Sequence, residues 1–278
     1  MVVILEIIKV ILLGIVEGIT EWLPVSSTGH MILLDEFIKL NVSPEFMEMF
    51  LVVIQLGAIF AVVVLYWKRI NPFEKNKKGK YFISKEKLDM WGKILFACLP
   101  AALIGLLLDD FINEYFYNYL VVALALIIFG ILFIYIENKH ENLNPRVVSI
   151  SEISYLDAFK VGLFQVIAAV FPGTSRSGAT ILGGIWIGLS RVIATEFTFF
   201  LAIPVMFGAS LLKLVKFGFD FTGYEAFILI LGMIVSFVVS IIAIKFLLSY
   251  IKKNDFKIFG WYRIILGLVV LIYFLLVK

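Results

Sequence analysis

The sequence predicts an all-α polytopic membrane protein, arranged as an inverted-topology repeat with six transmembrane helices and two re-entrant helix-loop-helix pairs. Three observations predict it. Of 278 residues, 62% are hydrophobic and only 16% are charged, against roughly 25% charged in an average soluble domain, and the mean hydropathy is +1.04. Six stretches stay apolar for about the 20 residues that a membrane-spanning helix needs. The chain also matches itself when shifted by 148 residues. These values exclude a disordered chain and a nucleic-acid module, and a net charge of +3 implies no partner by itself. The single Cys98 lies in an apolar run. It builds neither a disulfide framework nor a thiolate metal site and reads as a small buried hydrophobe.

In chain order, the first apolar region is 2–40. It has no early basic cluster and no small-residue cleavage site ahead of its polar motif, so it reads as mature structure and not as a cleaved signal. Pro24 and the Ser-Ser-Thr-Gly run break it near its middle. Spans follow at 46–67, 93–108 and 118–137. The second of these is short and contains Pro100, so it is expected to extend into Asp109 and Asp110 or to lean on neighbours. Region 158–190 is broken like the first, by Pro172, Gly173 and a Thr-Ser-Arg-Ser run. Spans 196–215, 225–248 and 259–277 complete the plan.

Lys and Arg in the loops set the orientation. Segment 68–93 carries Lys68, Arg69, Lys75, Lys77, Lys78, Lys80, Lys85, Lys87 and Lys93, which places it in the cytoplasm. Segment 138–160 (Lys139, Arg146, Lys160) and segment 249–258 (Lys252, Lys253, Lys257) return to that side, while 109–117 has no Lys or Arg. Both termini then lie outside, provided that the two broken regions leave on the side they entered. The internal match sets Gly14 on Gly162, Pro24 on Pro172, Ser27 on Ser175 and Glu48 on Glu196. One membrane domain, 1–278, thus holds repeat one at 1–140 and repeat two at 149–278. Three spans per repeat is an odd number, so the second repeat is upside down.

Irregular backbone at membrane depth survives only where protein or a watery cavity satisfies its polar groups. Function is therefore expected at the two broken regions, meeting near the midplane. Glu17 and Glu21 are four apart and share a helix face. Carboxylates inside an apolar segment are functional by default. Ser26, Ser27 and Thr28 follow Pro24, where a second helix can start on a Ser or Thr cap, and His30 shares the face of Ser27. In the second region Gly173, Thr174, Ser175, Arg176, Ser177 and Thr180 combine hydroxyls, a helix N-terminus and a planar cationic fork. That set suits phosphate. Each part has an ordinary alternative: Glu17 snorkelling, Ser26 and Thr28 as caps, His30 as packing, Arg176 as a counter-ion, and Trp22 and Trp186 as packing or interfacial aromatics. Together they make a phosphoryl-transfer or phosphate-hydrolysis site, and its setting points to a lipid phosphate.

These residues resemble the undecaprenyl-diphosphate phosphatases of the bacitracin-resistance type. The (E/Q)xxxE motif of that family corresponds to Glu17–Glu21, its SSTGH-like segment to Ser26–His30, and its PGxSRSxxT signature to Pro172–Thr180. The likeness runs along the whole chain. It implies hydrolysis of a long-chain polyprenyl diphosphate to the monophosphate plus inorganic phosphate, which recycles the carrier lipid of envelope polymers. It implies a divalent cation, Mg²⁺ or Ca²⁺, and a pocket open to the outer face of the cytoplasmic membrane. A homo-oligomer is compatible with this reading but not specified by it.

On that reading Arg176, Ser175, Ser177 and Thr180, with Ser26, Thr28, Gly173 and Thr174 nearby, hold the terminal phosphate. Glu17 and Glu21 bind the metal, or one binds it while Glu21 acts as base. Ser27 is the expected nucleophile, with His30 or Glu21 removing its proton, and direct attack by water stays open. Two other readings compete. A histidine-nucleophile phosphatase needs a second histidine after the Ser-Arg pair, and none follows Arg176. A lipid-phosphate translocase or transporter would use the same inverted repeat without hydrolysis.

Overall fold

The computed structural model describes residues 2–75, 79–141, 143–218 and 220–277; Lys77 and Lys78 of the basic segment lie outside them. Helix α1 (Val2–Thr20) ends before Pro24, and the short α2 (Ser27–Phe37) follows a tight turn. Ser43 caps α3 (Pro44–Val53), with Pro at its first position, where the missing N–H costs nothing. Helix α4 (Gln55–Ile70) continues it after a local irregularity at Ile54, so the two make one span, Pro44–Ile70. Lys68 and Arg69 sit in its last turn, where they complement the carbonyl end of the helix.

The basic segment then forms a small hairpin, β1 (Phe73–Lys75) against β2 (Tyr81–Ile83), a minor departure from an all-helical chain. Helix α5 (Lys85–Tyr115) carries Pro100 inside it and runs on through Asp109 and Asp110. Next come α6 (Tyr119–His140), α7 (Tyr155–Val170), α8 (Arg176–Trp186), α9 (Arg191–Phe217), α10 (Gly223–Ile251) and α11 (Lys257–Val277). Capping boxes start α7 (Ser154 with Asp157) and α10 (Thr222 with Glu225), closing two otherwise orphaned backbone donors in each case.

Among the described residues, six helices are long and apolar enough to cross a membrane: Pro44–Ile70, Lys85–Leu108, Tyr119–His140, Arg191–Phe217, Gly223–Ile251 and Lys257–Val277. They match the six expected stretches. Their outer faces keep large apolar side chains such as Leu107 and Leu276 exposed, as a protein solvated by lipid tails does. Helices α2 and α8 are each 11 residues long, which is about 16 Å at 1.5 Å per residue. That is roughly half of a 30 Å hydrocarbon layer.

Close backbone approach holds the helices together, as expected where lipid removes the hydrophobic drive between them. Helix α7 lies on α5, where a Cβ at Gly162 would stand 2.2 Å from the Ala97 carbonyl oxygen. Helices α6 and α11 meet through Gly130 and Gly260, where an added Cβ would stand 2.7 and 2.8 Å from the other glycine's carbonyl oxygen. Helix α1 packs along α10. The largest apolar cluster gathers Trp22, Phe133, Phe197, Phe199 and Phe200 around the two interrupted regions.

Candidate active site

Two turns of the same design build the site. Helix α1 stops at Thr20, whose hydroxyl donates to the Val16 carbonyl at 2.7 Å. After Pro24 the chain enters Ser26 at φ 73°, and the Ser26 side chain accepts from Gly29 N–H at 3.2 Å to start α2. Helix α7 stops at Val170, Pro172 follows, and Ser175 adopts φ 70°. Its side chain accepts from Gly178 N–H at 3.1 Å to start α8. These are the two non-glycine residues with positive φ among the described residues. Backbone strain of this kind costs on the order of 1–3 kcal/mol and tends to mark functional positions. By cap geometry Ser26 corresponds to Ser175, which is one residue off the spacing of 148 that pairs Ser27 with Ser175. The second turn therefore has one more residue between its proline and its cap.

The two turns meet on Glu21. The Arg176 Nη2 donates to Glu21 Oε1 at 2.8 Å, and Ser27 Oγ donates to Glu21 Oε2 at 3.3 Å. The Ser177 hydroxyl donates to the Glu21 main-chain carbonyl at 3.0 Å and lies 3.2 Å from Ser175 Oγ. Side chains about 150 positions apart in the chain thus share one carboxylate. Arg176 Nη1 also donates to the Thr198 carbonyl at 3.2 Å, and its guanidinium lies over the fully buried Trp22 ring. Trp22 is a packing aromatic, set edge-on to Phe199.

Glu17 lies one turn before Glu21, is 1% exposed, and has a buried Oε1 with no hydrogen-bond partner. The Thr174 hydroxyl and the Arg176 Nε are also buried without partners. Buried polar atoms are almost always satisfied in folded proteins, so these three, all in the two interrupted regions, are left over for a polar ligand. Among the described residues no three of His, Cys, Asp and Glu come together as a ready metal cluster. The donors present are carboxylate and hydroxyl oxygens. Such a set fits a hard cation that keeps several waters and takes other ligands from a phosphate.

The remaining expected residues fall in distinct places. Ser26 is fully buried and spent as a cap, and Thr28 is half-buried at the start of α2. Gly173 takes φ 93°, and a Cβ there would stand 2.6 Å from the Val122 carbonyl oxygen. Thr180 is fully buried behind Arg176. Its hydroxyl donates into its own helix, to the Arg176 carbonyl at 2.9 Å, and accepts from Thr198 Oγ1 at 2.8 Å. It therefore steadies the turn that carries Arg176. His30 makes its hydrogen bonds elsewhere than Ser27: Nδ1 lies 2.7 Å from the Ser26 carbonyl and Nε2 lies 2.6 Å from the Tyr262 hydroxyl.

Sequence reasoning missed two residues, Tyr262 and Arg263, both on α11. Arg263 is fully buried. It donates to the carbonyls of Pro24 at 3.3 Å, Gly173 at 3.0 Å and Thr174 at 2.7 Å. One guanidinium thus ties the first turn to the second. The signal was present, because an arginine within a predicted span is a functional-site hypothesis by default.

The family model described as bacitracin resistance protein BacA matches residues 10–269. The chain is 67% identical over 269 residues to the undecaprenyl-diphosphatase of Desulfitobacterium hafniense, covering 97% of this chain and 96% of that one. It is 62% identical to undecaprenyl-diphosphatase 1 of Clostridium acetobutylicum, covering 98% and 99%. It is 56% identical to an undecaprenyl-diphosphatase of Enterococcus faecalis, covering 96% and 97%.

Proposed function

The chain belongs to the bacitracin resistance protein BacA family, and from that membership we propose that it is a membrane-embedded phosphatase of undecaprenyl diphosphate. It hydrolyses the terminal phosphoanhydride, yielding the lipid monophosphate and inorganic phosphate, and so returns the carrier lipid to envelope polymer synthesis. One observation carries this reading: Ser27 and Arg176, from the two signature motifs, bind the two oxygens of the same Glu21 carboxylate. Relatives named undecaprenyl-diphosphatase give the substrate.

In the free protein Arg176 is held by Glu21. An arriving terminal phosphate offers its own oxygens to the guanidinium fork, which binds them in pairs, with the hydroxyls of Thr174, Ser175, Ser177 and Thr28 close by. Glu21 is then released to take the proton of Ser27, with which it is already hydrogen bonded. Ser27 Oγ attacks the terminal phosphorus. The bond from that phosphorus to the bridging oxygen breaks, and the lipid monophosphate leaves with the electron pair. Glu21 passes the serine proton to the departing monophosphate oxygen. Water then attacks the phosphoserine phosphorus as Glu21 takes one of its protons, the bond to Ser27 Oγ breaks, and Glu21 returns that proton to Ser27 as inorganic phosphate leaves. The charge that builds on the equatorial oxygens is met by Arg176, whose fixed position costs no reorganisation. With Glu21 as base, Glu17 would hold Mg²⁺ or Ca²⁺, which when bound neutralises charge on the diphosphate.

The same reading sets the architecture in the membrane. Each interrupted region (α1–α2 and α7–α8) enters and leaves on one side, because its second helix is too short to cross. Three spans follow each region, which inverts the second repeat relative to the first. The basic hairpin segment faces the cytoplasm, both termini lie outside, and the site opens to the outer face of the cytoplasmic membrane.

The test is phosphate release from undecaprenyl diphosphate by the purified protein in detergent, with and without chelator, for wild type and Glu21→Gln. Release by wild type that Glu21→Gln abolishes is expected. No release above the Glu21→Gln level would overturn the reading and favour a translocase, which needs a membrane to act across. Chelator is expected to stop turnover, and full activity after exhaustive chelation would remove the cation from the scheme.

A further inference from the structure

Between Lys257 at its start and Tyr273 near its end, helix α11 is apolar except where it passes the first turn. There Tyr262 and Arg263 stand side by side, and each addresses a different atom of that turn. The Tyr262 hydroxyl is 2.6 Å from His30 Nε2, and the two rings stack with centroids 5.6 Å apart and planes 11° apart. On the other side of the imidazole, Nδ1 is 2.7 Å from the Ser26 carbonyl oxygen. That oxygen can only accept, so Nδ1 carries a hydrogen. In the neutral ring Nε2 then has the lone pair, and the phenol donates to it. Both nitrogens are thereby engaged, and neither has a lone pair left for the Ser27 hydroxyl. A protonated ring would set a second positive charge beside Arg263, whose Nη1 already binds the Pro24 carbonyl two residues before Ser26.

We propose that Tyr262 is a positioning residue for the reaction. By donating to Nε2 it fixes His30 as the neutral Nδ1–H tautomer, and the imidazole in turn fixes the Ser26 carbonyl at the start of α2. Ser26 sits in a strained backbone conformation (φ 73°) that its own cap bond must maintain against relaxation. Ser27 is the next residue, and its hydroxyl lies at the long end of hydrogen-bonding range from Glu21, at 3.3 Å. A small rotation at Ser26 would lose that contact, so the aim of Ser27 depends on what holds the Ser26 carbonyl. The chain Tyr262–His30–Ser26 is that hold, and His30 takes no part in moving the serine proton. This inference deepens the phosphatase reading and rests on it.

The chain contains only two histidines, so selective ¹⁵N-histidine labelling with a His30→Asn reference assigns His30 directly. Wild type is expected to show His30 as one neutral tautomer with hydrogen on Nδ1, and Tyr262→Phe to show loss of the hydrogen bond at Nε2. Tyr262→Phe should lower kcat about tenfold, the worth of roughly one hydrogen bond. KM should stay within about twofold and the thermal midpoint in detergent should not move. His30→Asn places an amide N–H near the Nδ1 position and should recover activity relative to His30→Ala, whereas a base could not be so replaced. Hydrogen on Nε2 in wild type, a kcat fall under about threefold in Tyr262→Phe, or equal loss in His30→Asn and His30→Ala overturns the proposal. Failure of wild type to release phosphate at all overturns the phosphatase reading instead, and the tautomer measurement still stands apart from it.

Discussion

Exchange of Ser27 and Ser26 for alanine separates chemistry from architecture. Ser27 Oγ is half-buried and donates to Glu21 Oε2 at 3.3 Å. If Ser27 only positioned a water, Ser27→Ala would lose one hydrogen bond to a charged group. That is worth about 1.5–3 kcal/mol, or roughly 10- to 150-fold in rate at 1.36 kcal/mol per decade. As nucleophile, its loss removes the covalent route altogether, and kcat is expected to fall by more than about 1,000-fold. Ser26 is fully buried, and its hydroxyl caps α2 by accepting from the Gly29 N–H. Ser26→Ala should therefore cost about 1 kcal/mol of stability from the lost cap and, by loosening the strained turn that aims Ser27, lower kcat about tenfold, far short of the loss at Ser27. Ser26→Gly should regain most of that stability, because glycine accepts positive φ freely and is a tolerable cap. The assay is phosphate release in detergent, with an acid quench to trap phosphate on the peptide that contains Ser27. Equal, mild losses in the two alanine variants, with no trapped phosphoserine, would refute the nucleophile assignment.

Three further outcomes are expected. Arg176→Lys should lower kcat at least about 100-fold, because an ammonium cannot serve Glu21, the Thr198 carbonyl and a phosphate from one plane; near-normal turnover would remove the clamp. Arg263→Met should unsatisfy three buried carbonyls in both turns, at about 1–3 kcal/mol each. Loss of activity and a lower thermal midpoint should appear together, with partial rescue by Arg263→Lys, and an unchanged midpoint would disprove the tie. Gly162→Ala should force α7 away from α5, because the new Cβ would stand 2.2 Å from the Ala97 carbonyl oxygen. A loss of about 1–3 kcal/mol should register as a lower midpoint in a thermal unfolding scan, and none would refute the close packing of α5 on α7.

The six spans were legible because lipid imposes one rule on every residue of a crossing helix, and a run such as 225–248 carries no charge between Glu225 and Lys245. Their ends were less so. Residues 85–92 continue α5 beyond the apolar stretch as two further turns rich in charge and partly exposed, which hydropathy cannot see. The hairpin at Phe73–Lys75 and Tyr81–Ile83 was invisible in a segment read only for its charge. Glu17, Glu21, Ser27 and Arg176 stood out because polar residues are rare in apolar surroundings. The register of the internal match was off by one at the turns because residue identity was aligned and not cap geometry. A serine followed three residues later by glycine, Ser26–Gly29 and Ser175–Gly178, would have set it. Tyr262 and Arg263 escaped because they were counted as parts of a span, although a lone arginine there needs a partner and no acid lies beside it in sequence.

The guanidinium that joins the two turns comes from α11, which the ribosome makes after both of them. Until codon 263 has been read and its helix has entered the bilayer, Pro24, Gly173 and Thr174 lack the donor that draws them together. The tie between the two turns therefore waits on the last helix made, which contributes no motif of its own.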